Sequence, residues 1–205
     1  MIMIDIETVG LRPGSFIPTI GYCYFDWTGV KDSGTIAIKL ENWAAAKSDI
    51  STVKFWLRQD REAIEKTFFR DEIIQIDWVR AMILLAEKIK FNEKEFGEGV
   101  WANGPLFDLA HLEYWYDQMS EKPPYSHRSP RDCRTFYDTA TRLTGWDRDA
   151  ATKYLKEKHP DLTAHDAEQD AILQALLVID ANDALTCLKQ RAGAPVYPRD
   201  AIDAG

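Results

Sequence analysis

Ile2, Ile4 and Ile6 bracket Asp5 in a β-branched run that ends near Val9-Gly10, with Pro13 and Gly14 beyond, so residues 2–7 are predicted to form a short buried strand, central in a sheet. Residues 16–25 and 34–40 read as two more strands, joined by a turn through Thr28-Gly29 and Lys31-Asp32, in an antiparallel meander. The period then changes. Trp78, Ala81, Met82, Leu85, Ala86 and Ile89 form one stripe of an amphipathic helix. Shorter helices are expected over residues 52–58 and Arg61–Phe68, and Val100-Trp101-Ala102 reads as a strand running into the loop Asn103-Gly104-Pro105. Further helices are predicted over residues 107–118, 132–143 (stopping at Gly145) and Arg148–Lys158, with a proline-bearing loop over 121–130. After Pro160 a long helix is expected over 166–179, a separate one near 182–190, and a Gly/Pro-containing tail over 193–205. Strands first, then helices alternating with further strands, predict an α/β fold: a mixed sheet covered by helices.

Composition narrows the class. With 205 residues, 45% of them apolar and 12% aromatic, the chain can bury one sizeable core, and a single domain over residues 1–205 is the expectation. A charged fraction of 28%, with apolar residues throughout, argues against disorder, collagen-like repeats and coiled coil. The 25 basic residues against 33 acidic ones leave a net charge of −8, which opposes a protein that grips nucleic acid by backbone neutralisation alone. Cys23, Cys133 and Cys187 lack CxxC spacing, so neither a disulfide framework nor a zinc knuckle is indicated and a reducing compartment fits best. The N-terminus has no basic region, and no apolar run is expected to approach the ~18 residues of a spanning helix. A cytoplasmic protein without a membrane partner is expected.

Three places carry candidate chemistry. Asp5 and Glu7, at i and i+2 of the first strand, point out of the same face. They could line a solvent-facing strand edge. On a buried strand, however, like charges about 4 Å apart repel by roughly 4 kcal/mol at an effective dielectric near 20, and a divalent cation would remove that penalty. Asp108 stands where a strand hands over to a helix; taken alone, it reads as an acid complementing the helix N-terminus. In Thr163-Ala164-His165-Asp166-Ala167-Glu168-Gln169-Asp170, Asp166 and Gln169 resemble a capping box, which puts His165 just outside the helix and Asp170 in its first turn. Alone, each of these two is also an ordinary helix-entrance residue.

In this order, Asp5-Ile6-Glu7-Thr8, then Asn103 with Phe107-Asp108, then His165 before Asp170, the chain resembles the DEDDh 3′-to-5′ exonucleases on the ribonuclease H-like fold. Trp101-Ala102-Asn103-Gly104-Pro105, Arg131-Asp132 with Arg134-Thr135, and Ser51-Thr52-Val53 before Phe55-Trp56 are similar to the subgroup of mycobacterial-type and DexA-type phage exonucleases, over roughly residues 2–180. The resemblance implies two ions, Mg²⁺ or Mn²⁺, held by Asp5, Glu7, Asp108 and Asp170, with His165 as the base. Hard oxygen ligands without cysteine agree with that metal choice. It also implies hydrolysis of the 3′ end of single-stranded DNA or RNA to nucleoside 5′-monophosphates, in the host's cytoplasm if a phage encodes the chain. Thr8, Asn103, Phe107 and Trp56 are candidate substrate contacts, Phe107 or the Phe55-Trp56 pair by stacking. Arg131 and Arg134 either reach a phosphate or form a solvated helix start. A homodimer is compatible with the chain.

Three alternatives compete. An all-helical HD-type phosphohydrolase would use His165-Asp166 but gives the opening strand no role. A ribonuclease H or Holliday-junction endonuclease would share the fold without needing His165. A binding module would keep the fold with an inactive site.

Overall fold

The opening alternation becomes the middle of a sheet. In the computed structural model, which describes residues 1–70, 73–96 and 99–191, β1 (Ile2–Glu7) is the central strand of five. β2 (Thr19–Asp26) pairs antiparallel with it, and β3 (Gly29–Ala37) antiparallel with β2. On the other side β4 (Val100–Ala102) and β5 (Pro130–Asp132) run parallel to β1, giving the order β3-β2-β1-β4-β5. The helices are α1 (Ile50–Trp56), α2 (Arg61–Phe68), α3 (Trp78–Phe96), α4 (Asp108–Gln118), α5 (Cys133–Thr144), α6 (Arg148–Lys158) and α7 (Ala167–Arg191). This mixed sheet between helices is the expected ribonuclease H-like α/β fold, and its five strands exclude the all-helical alternative.

The period-2 geometry of β1 decides which layer each of its side chains enters. Ile2, Ile4 and Ile6 join a core with Met82, Leu85 and Ile89 of α3 and Leu109 and Leu112 of α4. Met3 joins the opposite core with Cys23, Tyr137 of α5 and Ala171, Ala175 and Val178 of α7. Burying each large side chain contributes about 1.5–3 kcal/mol, which holds β1 between both layers. Asp5 and Glu7 continue the row that Met3 begins and so face the helix layer that contains α7.

Asp5 pairs with Gly21 across the ladder, and α7 begins directly above that glycine. A Cβ on Gly21 would lie 2.0 Å from both the carbonyl carbon and oxygen of Ala167. Strand and helix therefore meet main chain to main chain.

Several boundaries differ from expectation. β3 begins at Gly29, and Lys31 and Asp32, expected in a turn, lie in the strand. An edge strand tolerates polar residues, and the turn closes earlier, where the Thr28 N–H and hydroxyl donate to Asp26 at 2.7 and 2.6 Å. β2 begins at Thr19, since the Phe16 main chain bonds Val9 and Lys47 instead. α1 starts at Ile50, because Asp49 accepts the Ser51 N–H at 2.8 Å. β5 falls where the expected loop over 121–130 meets the helix expected from 132: a proline fits an edge strand, and this one pairs with β4.

The two helices expected after Pro160 are one. Asp180, near the expected break, accepts the Trp146 indole N–H at 2.7 Å and does not interrupt α7. Against expectation, α7 is long and apolar enough to cross a membrane by length and composition, with a mean hydropathy of 1.5 over 18 residues. Here it packs on β1, β2 and α5, and carries Glu168, Asp170 and Gln174 toward the sheet. The expected tail lies outside the described residues.

Candidate active site

Five side chains meet at the end of β1. Ligand atoms of Glu7, His165 and Asp170 all lie within 4.8 Å of one another, a grouping that could hold a metal ion. Asp5 sits beside Glu7 on the strand and close enough to Asp108 and Asp170 to be repelled by both. Asp108, buried at the start of α4, is delivered by the loop after β4, where Gly104 takes a left-handed φ of 121° and its carbonyl accepts the Phe107 N–H at 2.7 Å.

His165 is placed by its main chain. Its φ of 61° is unusual for a residue with a side chain, and contacts on both sides of the residue hold it there. The His165 N–H donates to Asp170 Oδ2 at 3.0 Å, and its carbonyl accepts the Thr67 hydroxyl at 3.2 Å. The Phe55 and Trp56 rings stand T-shaped to the imidazole, with centroids 5.3 and 6.1 Å away.

The next residue begins the helix. Asp166 Oδ1 accepts the Glu168 N–H at 3.1 Å and, at 3.4 Å, that of Gln169, which makes the expected cap. Asp166 Oδ2 pairs with the buried Arg70 at 2.6 Å, and Glu168 accepts from Ser33 and Thr35 at 2.6 and 2.9 Å, which ties α7 to β3 and to the segment after α2.

The acids crowd one another. Burial, followed by repulsion from Glu7, Asp108 and Asp170, holds the Asp5 carboxyl well above its usual range. Burial, then Asp170, Asp166 and Asp108, pushes Glu7 up to about 8. Burial raises Asp108 to about 7 against the pull of the Asp108 and Ile6 main-chain N–H groups and of Arg134. Asp170 is raised by burial, with the His165 N–H opposing. Positive charge nearby comes from Arg134 toward Asp108 and Lys156 toward Asp170.

Raised acids bind protons more tightly in the folded chain than in the unfolded one. Their stabilisation is therefore complete below the unfolded carboxylate range and is lost as pH rises through about 8. In EDTA, the thermal midpoint is expected to fall by several degrees between pH 5 and pH 8, since each kcal/mol moves it about 2–4 °C at this chain length. Saturating Mn²⁺ at pH 8 is expected to restore it. Scanning fluorimetry in the two conditions checks both; a midpoint indifferent to pH and to Mn²⁺ would contradict a close acidic cluster.

A cavity of about 320 Å³ adjoins the acids, lined by Ile6, Glu7, Thr8, Leu11, Phe55 and Phe107, among others. Two candidate contacts are already engaged. The Thr8 hydroxyl donates to the Gly10 carbonyl at 2.8 Å. Trp56 is buried, with its indole N–H on the Thr8 carbonyl at 2.8 Å, so Phe55 rather than Trp56 shows a face to solvent. Phe107 is half-buried at the cavity wall, and Asn103 Oδ1 is buried without a hydrogen-bond partner. Arg131 turns back onto the Arg128 and Pro130 carbonyls, whereas the exposed Arg134 guanidinium lies over Gly104.

Sequence reading passed over Gln174, whose Nε2 donates to Asp5 Oδ1 at 2.7 Å, and also Arg70. The available signal for Gln174 was an amide one helical turn after Asp170, within an otherwise apolar stripe.

Residues 1–180 match the profile of a family described as the Rv2179c-like 3′-5′ exoribonuclease domain. No curated protein matches the chain in sequence. Among solved structures, the nuclease domain of 3′hExo, a DEDDh family member bound to rAMP, is similar with a TM-score of 0.56 and 11% identity over 96% of this chain and 94% of that one. Product-bound exonuclease I gives a TM-score of 0.54 and 12% identity over 93% of this chain and 44% of its own, so the chain spans under half its length. Cell-death related nuclease 4 gives 0.51 and 10%, over 89% and 64%. At these identities the likeness is one of fold.

Proposed function

Because the chain belongs to the Rv2179c-like 3′-5′ exoribonuclease domain family, we propose that it is a DEDDh-type 3′-5′ exonuclease that removes nucleoside 5′-monophosphates one at a time from the 3′ end of single-stranded RNA, as a single domain, with two divalent ions, Mg²⁺ or Mn²⁺. The observation that carries this reading is the meeting of Asp5, Glu7, Asp108 and Asp170 with His165 beside a cavity of about 320 Å³. Four mutually repelling carboxylates with no thiol among them suit hard cations. Bound there, such ions supply Lewis-acid charge to the phosphodiester and to its attacking and leaving oxygens.

The chain's own residues do the rest. His165 takes the proton of the attacking water at a ring nitrogen, held in line by Asp170, Thr67 and the rings of Phe55 and Trp56. The 3′-terminal nucleotide occupies the cavity, its base against Phe107 and Phe55, with Thr8 shaping the floor and Trp56 backing it. The unpaired terminal base favours a single strand over a duplex. Arg134 meets a backbone phosphate and, with Lys156, supplies positive charge beside the acids of a chain of net −8.

The test uses 5′-labelled single-stranded RNA, single-stranded DNA, duplex and circular RNA. With Mn²⁺, ladders shortening from the 3′ end of linear RNA are expected, with the circle intact and no products in EDTA. Cutting of the circle would favour the endonuclease reading. No turnover together with no Mn²⁺ uptake would favour an inactive binding module.

A further inference from the structure

A neutral side chain approaches the acids of the site as a donor from within the core. Gln174 lies one turn after Asp170 on α7, among Ala171, Ala175 and Val178, and only 8% of its surface is exposed. An apolar side chain would fit this stripe, and burying an amide there is costly unless both of its ends are satisfied. One end is: Nε2 donates to Asp5 Oδ1 at 2.7 Å. The other is not: Oε1 is buried without a hydrogen-bond partner. The residue is braced from behind, since the buried Tyr137 hydroxyl donates to its main-chain carbonyl at 3.1 Å.

We infer that Gln174 is a positioning residue that fixes the Asp5 carboxylate for divalent-ion binding; the inference rests on the metal-dependent reading above. The argument is geometric. The charges that act on Asp5 are those of Glu7, Asp108 and Asp170, all of which repel it, so without a donor this carboxylate would rotate away from them. Lysine or arginine in this place would hold Asp5 but would also offset the negative charge that draws the ion. A neutral amide orients the carboxylate and leaves its charge in place. Groups that orient metal-binding side chains in this way typically change metal affinity 10–100-fold when replaced.

The experiment compares the full-length parent chain with Gln174→Met, which keeps the length and loses both polar ends, and Gln174→Asn, which keeps the amide but draws its donor back from Asp5 by one methylene. Mn²⁺ affinity is read by paramagnetic resonance titration, fold stability by the thermal midpoint in EDTA, and turnover on single-stranded RNA as kcat and KM at several Mn²⁺ concentrations. Both variants are expected to bind Mn²⁺ about 10–100-fold more weakly. Gln174→Met is expected to keep the parental midpoint in EDTA. The KM for RNA should be unchanged, and the lost kcat should return as Mn²⁺ is raised. A Mn²⁺ affinity within twofold of the parent in either folded variant overturns the inference and leaves the nuclease reading standing. So does a Gln174→Met midpoint that falls in EDTA while the deficit persists at saturating Mn²⁺, the mark of a merely structural role. A parent chain that takes up no Mn²⁺ overturns both.

Discussion

Asp5→Ala is expected to abolish turnover, with a loss of at least about a thousandfold, while the protein stays folded. Each carboxylate that holds an ion at the scissile phosphate supports several kcal/mol of transition-state stabilisation, and each 1.36 kcal/mol is about tenfold in rate. The stability side of the result separates this from simple misfolding. Asp5 is an acid repelled by Glu7, Asp108 and Asp170, so its removal relieves the cluster. In EDTA at pH 8 the relieved repulsion offsets the Gln174 amide left without its acceptor, so the variant should melt within a few degrees of the parent and should lose most of the midpoint gain on adding Mn²⁺. Asp170→Asn extends the test: the amide oxygen still accepts the His165 N–H, so the loop geometry is kept and only the charge is lost. Single-turnover assays with 5′-labelled RNA check both variants. An Asp5→Ala enzyme within tenfold of the parent would remove the acidic cluster from the chemistry.

His165→Ala should separate proton transfer from ion binding. A positioned general base contributes about a hundredfold to ten-thousandfold, and a loss in that range is expected in kcat with little change in KM. Mn²⁺ uptake should persist, because four carboxylates remain. Without the imidazole, attack depends on hydroxide from bulk solvent, so log kcat should climb steadily with pH, about tenfold per unit. Titration calorimetry and rates between pH 6 and 9 read the two effects separately. Unimpaired turnover would remove the imidazole from the role of base, and loss of Mn²⁺ binding would recast it as a ligand, consistent with its closeness to Glu7 and Asp170.

What the bare chain reveals here depends on how local the controlling force is. The alternation of Ile2, Ile4 and Ile6 with Asp5 and Glu7 fixes both the strand and the face its acids take, because a strand's period leaves no other arrangement. The stripe from Trp78 to Ile89 and the stop at Gly145, with its left-handed φ of 75°, are legible for the same reason. β3 and β5 are not, because at a sheet edge pairing decides strand formation and polar residues or a proline are tolerated. The site divides in the same way. Its acids and His165 fall in short, ordered motifs. Gln174 meets Asp5 across 169 positions, and Arg70 reaches Asp166 from a segment with no motif of its own. Trp56 carries the opposite lesson: an aromatic beside a cleft can serve as its wall, and its indole N–H on the Thr8 carbonyl shows that it does.

The contact of Gly21 with the first turn of α7 also sets a timetable. Asp5 and Glu7 are made near the beginning of synthesis, whereas His165 and Asp170 emerge more than a hundred residues later and are brought into line only when α7 settles against that glycine. A nascent chain still on the ribosome therefore carries half a blade. The acidic cluster is complete only once the closing helix has been made and has docked.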